Sequence, residues 1–144
     1  MNRSELLSAL KLDKFIAFDF ETTGLDVTND RPIEVAAVLF DKGKPTDRFC
    51  TLINPRIPIS NLIQEITGIT NDMVNDAPLE KDVIDDLLRF LGDHPIVAHN
   101  TPFDVSFLQS MAERNGKDRP QRKYYDTLTM SRAFLFFQPT HNLS

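Results

Sequence analysis

Cysteine and long apolar runs are nearly absent from this chain of 144 residues. The single cysteine, Cys50, excludes an internal disulfide and a zinc site built from several cysteines, and it predicts a reducing, cytoplasmic location. The N-terminal leucines are interleaved with charged residues, so this stretch is too short and too charged for a signal peptide or a membrane span. We therefore interpret residues 1–14 as a short amphipathic helical extension and expect no membrane association.

Basic residues are also in short supply, with 16 Lys and Arg against 21 Asp and Glu and a net charge of −5. Proteins that coat long stretches of nucleic acid use many Lys and Arg contacts to phosphates, so this class is disfavoured. A protein that holds only a strand end through metal ions is not excluded. The remaining composition, 41% hydrophobic and 26% charged, is typical of one soluble globular domain.

Strand patterns dominate the first third of the chain. Residues 15–20 (FIAFDF) form a short apolar run before a Thr-Thr-Gly turn, which predicts a buried strand. Residues 32–40 and 49–53 predict two further strands, and the polar stretch DKGKPTDR separates them. We expect these three strands to form an antiparallel meander.

Helices and strands alternate in the rest of the chain. Residues 54–78 predict short helices, and the apolar spacing after them predicts longer helices over residues 79–91 and 103–113, the first of them ending at Gly92. Further elements are a strand at IVAHN, a strand at residues 124–126 and a helix at residues 128–137. This order predicts an α/β domain with a mixed sheet flanked by helices.

Asp19 and Glu21 are the strongest chemical feature. One residue separates them, so on an extended strand both side chains project from the same face and can share divalent cations. An acid inside an apolar run is costly to bury without compensation. A bound metal is one compensation, and a salt bridge or exposure at the strand end is another.

A second polar group, HNTPFD at residues 99–104, ends one predicted strand and begins the next helix. Ligands of α/β sheets gather at the carboxyl ends of strands, which favours a site for His99, Asn100 and Asp104. The alternative is structural: His99 and Asn100 would be turn residues, and Asp104 would cap a helix.

Taken together, DFETTGL and HNTPFD resemble the first two motifs of the DEDD superfamily of 3′→5′ exonucleases, which includes the proofreading, epsilon-type subunits of bacterial DNA polymerase III. ITGIT at residues 66–70 and YDT at residues 125–127 match family segments in the same order. The resemblance implies a ribonuclease H-like fold and a metal-dependent enzyme that shortens nucleic acids from the 3′ end. It also implies two Mg²⁺ or Mn²⁺ ions held by Asp19, Glu21 and Asp104.

The resemblance further implies a pocket for the terminal nucleotide. Its residues would be Thr22, Thr23, Leu25, His99, Asn100 and Phe103. Core packing is the alternative for Leu25 and Phe103. The implied substrate is a single-stranded DNA 3′ end in proofreading or repair, with RNA possible and with a polymerase as a possible partner.

The family's third motif, a His or Tyr followed by an Asp, has no match here, because only Asn142, Leu143 and Ser144 follow His141. We therefore expect residues 15–144 to be an exonuclease domain truncated before its last catalytic helix, with an exposed apolar patch beside the site. Asp126 ends a predicted strand, but the resemblance gives it a supporting role. An inactive module that binds a polymerase or helicase partner, or a strand end, is the competing hypothesis.

Overall fold

The computed structural model describes residue 5, residues 13–120 and residues 123–126. In this part of the chain one mixed sheet has the strand order β3-β2-β1-β4-β5. Its strands are β1 (Lys14–Thr22), β2 (Pro32–Asp41), β3 (Lys44–Leu52), β4 (Ile96–Ala98) and β5 (Tyr124–Asp126). The first three strands are antiparallel, whereas β4 is parallel to β1 and β5 is parallel to β4. The predicted meander with added parallel strands is confirmed.

Four helices are seen in the described residues: α1 (Asn61–Thr67), α2 (Asn71–Asn75), α3 (Glu80–Leu91) and α4 (Thr101–Arg114). Gly68 ends α1 and Gly92 ends α3, both with positive φ, as a helix terminus often requires. The predicted helix at residues 103–113 begins two residues earlier than expected. The predicted helix at residues 128–137, and all of the 1–14 extension except residues 5, 13 and 14, lie outside the described residues.

The main core lies between the sheet and the two longer helices. Ile16, Phe18 and Phe20 alternate along β1 and are buried against apolar residues of α3 and α4, among them Leu87 and Phe107. A smaller cluster packs α1 and α2 beside the start of β2; its buried members are Ile33, Ile59, Ile69 and Val74. The smaller helices α1 and α2 therefore pack at the end of the sheet at which β1 stops.

The predicted boundary of β3 was wrong. The strand begins at Lys44 rather than at residue 49, and the turn before it is only Lys42 and Gly43, with φ values of 53° and 82°. β3 is the edge strand of the sheet, and its first half is exposed. Polar residues are normal on an exposed edge strand, so polarity could not mark this segment as a loop.

The sheet face opposite α3 and α4 carries an apolar groove of about 290 Å³. Its lining includes Ala17, Val38 and Val97, and it ends at Asp19 and His99. In the described part of the chain, no helix is long and apolar enough to cross a membrane.

Candidate active site

The carboxyl ends of β1 and β4 bring the two predicted motifs together. Ala17 of β1 is in parallel register with Val97 of β4, so Asp19 and His99 follow two residues later on adjacent strands. α4 starts directly after His99 and Asn100 and carries Asp104 in its first turn. Asp126, at the end of β5, is in register with Ala98 and lies at the same edge.

Asp19 and Glu21 project from the same face of β1. Phe18 and Phe20 alternate with them and are buried in the core, 4% and 3% exposed, so the two acids point to the opposite face. Glu34 pairs directly with Glu21 in the antiparallel register and therefore shares that face. The sequence reasoning missed Glu34, although an acid inside the apolar run PIEVAAVLF is the same signal that marked Asp19.

Asp104 is buried, with only 3% of its surface exposed. Its Oδ1 accepts a hydrogen bond of 3.0 Å from the backbone N–H of Phe20, the residue between Asp19 and Glu21. The N-cap position of α4 belongs to Asn100, whose side chain makes no capping bond. Asp104 is therefore not a helix cap; its carboxylate ties α4 to the end of β1.

The three carboxylates interact electrostatically. The pKa of Asp104 is raised to about 6, chiefly by burial and in smaller part by the charges of Asp19 and Glu21, while the hydrogen bond from Phe20 opposes the increase. Burial also raises the pKa of Asp19, and the nearby His99 offsets only part of this increase. The pKa of Glu21 is raised by burial and then by the charges of Asp19 and Glu34. Mutual repulsion of this kind is relieved when a cation binds among the acids.

The donors fit a hard divalent cation chemically, because carboxylate oxygens are the ligands that Mg²⁺ and Mn²⁺ prefer. The arrangement is nevertheless open: among residues 5, 13–120 and 123–126, no three His, Cys, Asp or Glu side chains form a group able to hold a metal ion. Asp19 is exposed and Glu21 is half-buried, whereas Asp104 is buried and its Oδ1 is bonded to the Phe20 N–H.

Thr22 and Thr23 are buried, and their hydroxyls are engaged within the turn that follows β1. Thr22 Oγ1 donates to the carbonyl of Gly24 at 2.6 Å, and Thr23 Oγ1 donates to Asp30 at 2.9 Å. Leu25 is the opposite case, because 87% of its surface is exposed. This exposure excludes core packing for Leu25.

His99 and Asn100 are both exposed at the end of β4. Phe103 is half-buried; it packs against the core, and its ring lies 4.7 Å from that of Phe107. Part of the Phe103 ring is thus structural, and the rest faces outward. The structure brings His99 close to Asp19, and a substrate role for these three residues stays a prediction.

The sequence matches the model of a family described as exonuclease (RNase_T) over residues 16–144. Among similar proteins, the DNA polymerase III PolC-type of Caldanaerobacter subterraneus subsp. tengcongensis is 45% identical over 119 residues, which is 83% of this chain and 8% of that protein. The PolC-type polymerase of Bacillus subtilis is 41% identical over 88% of this chain and 9% of its own length. The chain therefore spans less than a tenth of these relatives.

Among solved structures, the zinc-bound form of an E. coli exonuclease I complex with single-stranded DNA matches with a TM-score of 0.78 and 21% identity. The match covers 91% of this chain and 31% of the exonuclease I chain. The likeness confirms the predicted ribonuclease H-like fold, a mixed five-stranded sheet with helices. With the family model matched from residue 16 to residue 144, the chain belongs to the exonuclease family.

Proposed function

We propose that this chain carries a 3′→5′ exonuclease site that hydrolyses phosphodiester bonds at nucleic-acid 3′ ends, in DNA proofreading or repair. The observation that carries the proposal is the convergence of three acids at the carboxyl ends of β1 and β4, where buried Asp104 accepts the N–H of Phe20, the residue between Asp19 and Glu21. Carboxylates with perturbed pKa values at the end of parallel strands are typical of functional sites. Membership of the exonuclease family and similarity to PolC-type polymerases support the same reaction.

Two divalent ions, Mg²⁺ or Mn²⁺, would be held by Asp19, Glu21 and Asp104. When bound, they would supply an activated water and stabilisation of the departing 3′ oxygen. Asp19 and Glu21 offer oxygens on the open face of β1. Asp104 can contribute its second oxygen, since the Phe20 N–H bond uses Oδ1.

The strand end would be held by the residues around the acids. Exposed Leu25 can contact the terminal base or sugar, and the outer part of the half-buried Phe103 ring can do the same from α4. Exposed His99 and Asn100 can donate hydrogen bonds to the terminal phosphate or sugar. The buried side chains of Thr22 and Thr23 would form the floor of this pocket.

DNA is the substrate that the relatives favour. The PolC-type relatives are DNA polymerases by name, and the matching exonuclease I structure is a complex with single-stranded DNA. An RNA-trimming activity is the near alternative. Proteins distinguish RNA from DNA by a contact to the 2′ hydroxyl, and none of the residues proposed above is assigned to that contact. A polymerase partner and a cytoplasmic location belong to the same proposal.

A non-catalytic module is the second candidate. One observation favours it: in the described residues, no three His, Cys, Asp or Glu side chains form a group able to hold a metal ion. Such a module would bind a polymerase or helicase partner, or a strand end, without cleaving it. This function gives the carboxylates of Asp19, Glu21 and Asp104 no role, which counts against it.

Titration of Mg²⁺ and Mn²⁺ into the 144-residue chain with 3′-labelled single strands of DNA and of RNA separates the two functions. Release of mononucleotides that disappears with Asp19→Ala supports the exonuclease, and the polymer cleaved faster is the substrate. The same assay is run on any longer polypeptide that contains this domain. If metal binds to both forms and neither releases mononucleotides, the binding module is the correct function.

A further inference from the structure

The turn between β1 and β2, residues 23–31, is organised around one carboxylate, that of Asp30. Its Oδ1 accepts the hydroxyl proton of Thr23 at 2.9 Å, and its Oδ2 accepts the backbone N–H of Asp26 at 2.9 Å. The backbone N–H of Asp30 donates to the carbonyl of Asp26 at 2.7 Å. Thr23 in turn accepts the N–H of Arg31 at 3.0 Å. We call residues 23–31 the site loop.

Gly24 leaves the space that the Asp30 carboxylate occupies. A Cβ at residue 24 would lie 2.4 Å from Asp30 Oδ2 and 2.8 Å from Oδ1, closer than non-bonded atoms can approach. The backbone of Gly24 is not among those with positive φ, so conformation alone does not require glycine here. Any residue with a Cβ at position 24 therefore requires the Asp30 carboxylate to move from its present position.

The outer part of the site loop is attached to the helices. The guanidinium of Arg31 donates to the carbonyls of Thr28 and Asp30 at 3.0 and 2.9 Å, and its Nε lies 3.9 Å from Glu80 at the start of α3. Glu80 also accepts from Arg114, near the end of α4, at 2.8 Å. Arg31, the residue after Asp30, thus links this end of the site loop to the helices through Glu80. The Asp30 carboxylate bonds the other part of the loop, at Thr23 and Asp26.

Leu25 lies between the two points that Asp30 holds. Gly24 before it is packed against the carboxylate, and Asp26 after it donates its N–H to Oδ2. The Leu25 side chain itself has almost no packing, with 87% of its surface exposed. Its position is consequently set by the backbone on either side, and hence by Asp30.

We propose that Asp30 is a positioning residue: by bonding Thr23 and Asp26 on either side of Leu25 it fixes Leu25 in the loop that follows β1, so that capture of a strand end depends on a carboxylate that does not touch the strand. This inference rests on the proposed exonuclease function. The acids of the site lie outside the loop, on β1 and α4. Loss of Asp30 therefore affects capture of the strand more than the chemical step.

Steady-state cleavage of a 3′-labelled single strand by Asp30→Ala tests the inference. We expect KM to rise about tenfold while kcat falls less than about threefold, the pattern of lost substrate binding. Asp93→Ala is the matched control, because Asp93 is exposed in the turn before β4, away from the site loop, and it should leave both constants unchanged. An Asp30→Ala enzyme with unaltered KM overturns the proposal.

Gly24→Ala perturbs the same contact from the other side. Alone it should raise KM as Asp30→Ala does, since the new methyl group collides with the carboxylate. In the double variant Gly24→Ala/Asp30→Ala the collision is gone, so the KM should equal that of Asp30→Ala alone. If the two single effects multiply in the double variant, the residues act independently and the proposal is wrong.

Two further measurements keep the test valid if a variant folds poorly or if the chain does not cleave. Asp30→Asn keeps the shape but loses one acceptor oxygen, so it should show an intermediate KM. The chain contains no tryptophan, so Leu25→Trp introduces a single fluorescent reporter in the site loop. Its anisotropy should fall when Asp30→Ala is added, with or without substrate. Unchanged anisotropy refutes the positioning role, whereas a fall in a chain that cleaves no strand refutes only the proposed exonuclease function.

Discussion

Replacing Asp104 by Asn should stabilise the chain at neutral pH in the absence of metal. The Asn side chain has nearly the same shape, and its oxygen can still accept the N–H of Phe20. The change removes only the buried charge. Burial and the two neighbouring acids oppose that charge, as the raised pKa of Asp104 records.

The magnitude follows from the pKa. In the folded chain it rises from 3.8 to about 6, and each unit corresponds to about 1.4 kcal/mol of stability. Because the folded pKa is raised, the protonated form is favoured on folding, and the stability it gives is lost as the pH rises through 6. The ionised form therefore costs about 3 kcal/mol once the pH exceeds about 7, and less than about 1 kcal/mol near pH 4.

Urea unfolding of the metal-free chain and of Asp104→Asn at a series of pH values measures this difference. We expect the variant to gain about 3 kcal/mol over the parent near pH 8, and the gain to shrink towards zero near pH 4. Asp93→Asn, an exposed control, should show no such pH dependence. A variant no more stable than the parent near pH 8 would refute the claim that the ionised Asp104 side chain destabilises the folded chain.

Millimolar Mg²⁺ adds an independent arm to the same experiment. Binding of a cation to the folded chain alone raises its stability, so the parent should gain stability and Asp104→Asn should gain less. Equal gains in both proteins would show that Asp104 does not bind the metal. They would not alter the conclusion that its buried charge destabilises the fold.

Three other changes have definite expected outcomes. Leu25→Ala should raise the KM for a single strand about five- to tenfold without changing the urea midpoint, because the side chain is 87% exposed; a lowered midpoint would mean that Leu25 packs in the fold. Leu87→Ala removes a fully buried core side chain and should lower the free energy of unfolding by about 3 kcal/mol; a loss below about 1 kcal/mol would contradict the described core. Glu34→Gln should lower the pKa of Glu21, since the Glu34 charge raises it, and an unchanged Glu21 carboxyl titration by NMR would show that the two acids do not interact.

The strands and longer helices could be predicted because each is a periodic apolar pattern with a clear end. β1 was visible in FIAFDF, and α3 in the spacing that leads to Gly92. β3 could not be delimited, since an exposed edge strand has no apolar alternation to reveal it. The spacing of apolar residues in the sequence indicates which side chains are buried, and the strand at the edge of a sheet has the fewest buried side chains.

The site was only partly visible for a different reason. Alternation placed Asp19 and Glu21 on one face, and the order of strands placed HNTPFD beside them. The bond from Phe20 to Asp104 joins residues 84 positions apart, so nothing local distinguished this role from a helix cap. The packing of the Asp30 carboxylate against Gly24 depends on how the turn folds back on itself, and the sequence alone indicates only a turn.

The central claim is that Asp19, Glu21 and Asp104 form a divalent metal site, and calorimetric titration of Mn²⁺ into the 144-residue chain tests it most directly. The titration is carried out without substrate. We expect saturable binding of two ions per chain that is lost in Asp19→Ala while Asp93→Ala binds as the parent does. Absence of binding by the parent, or unchanged binding by Asp19→Ala, would contradict the assignment.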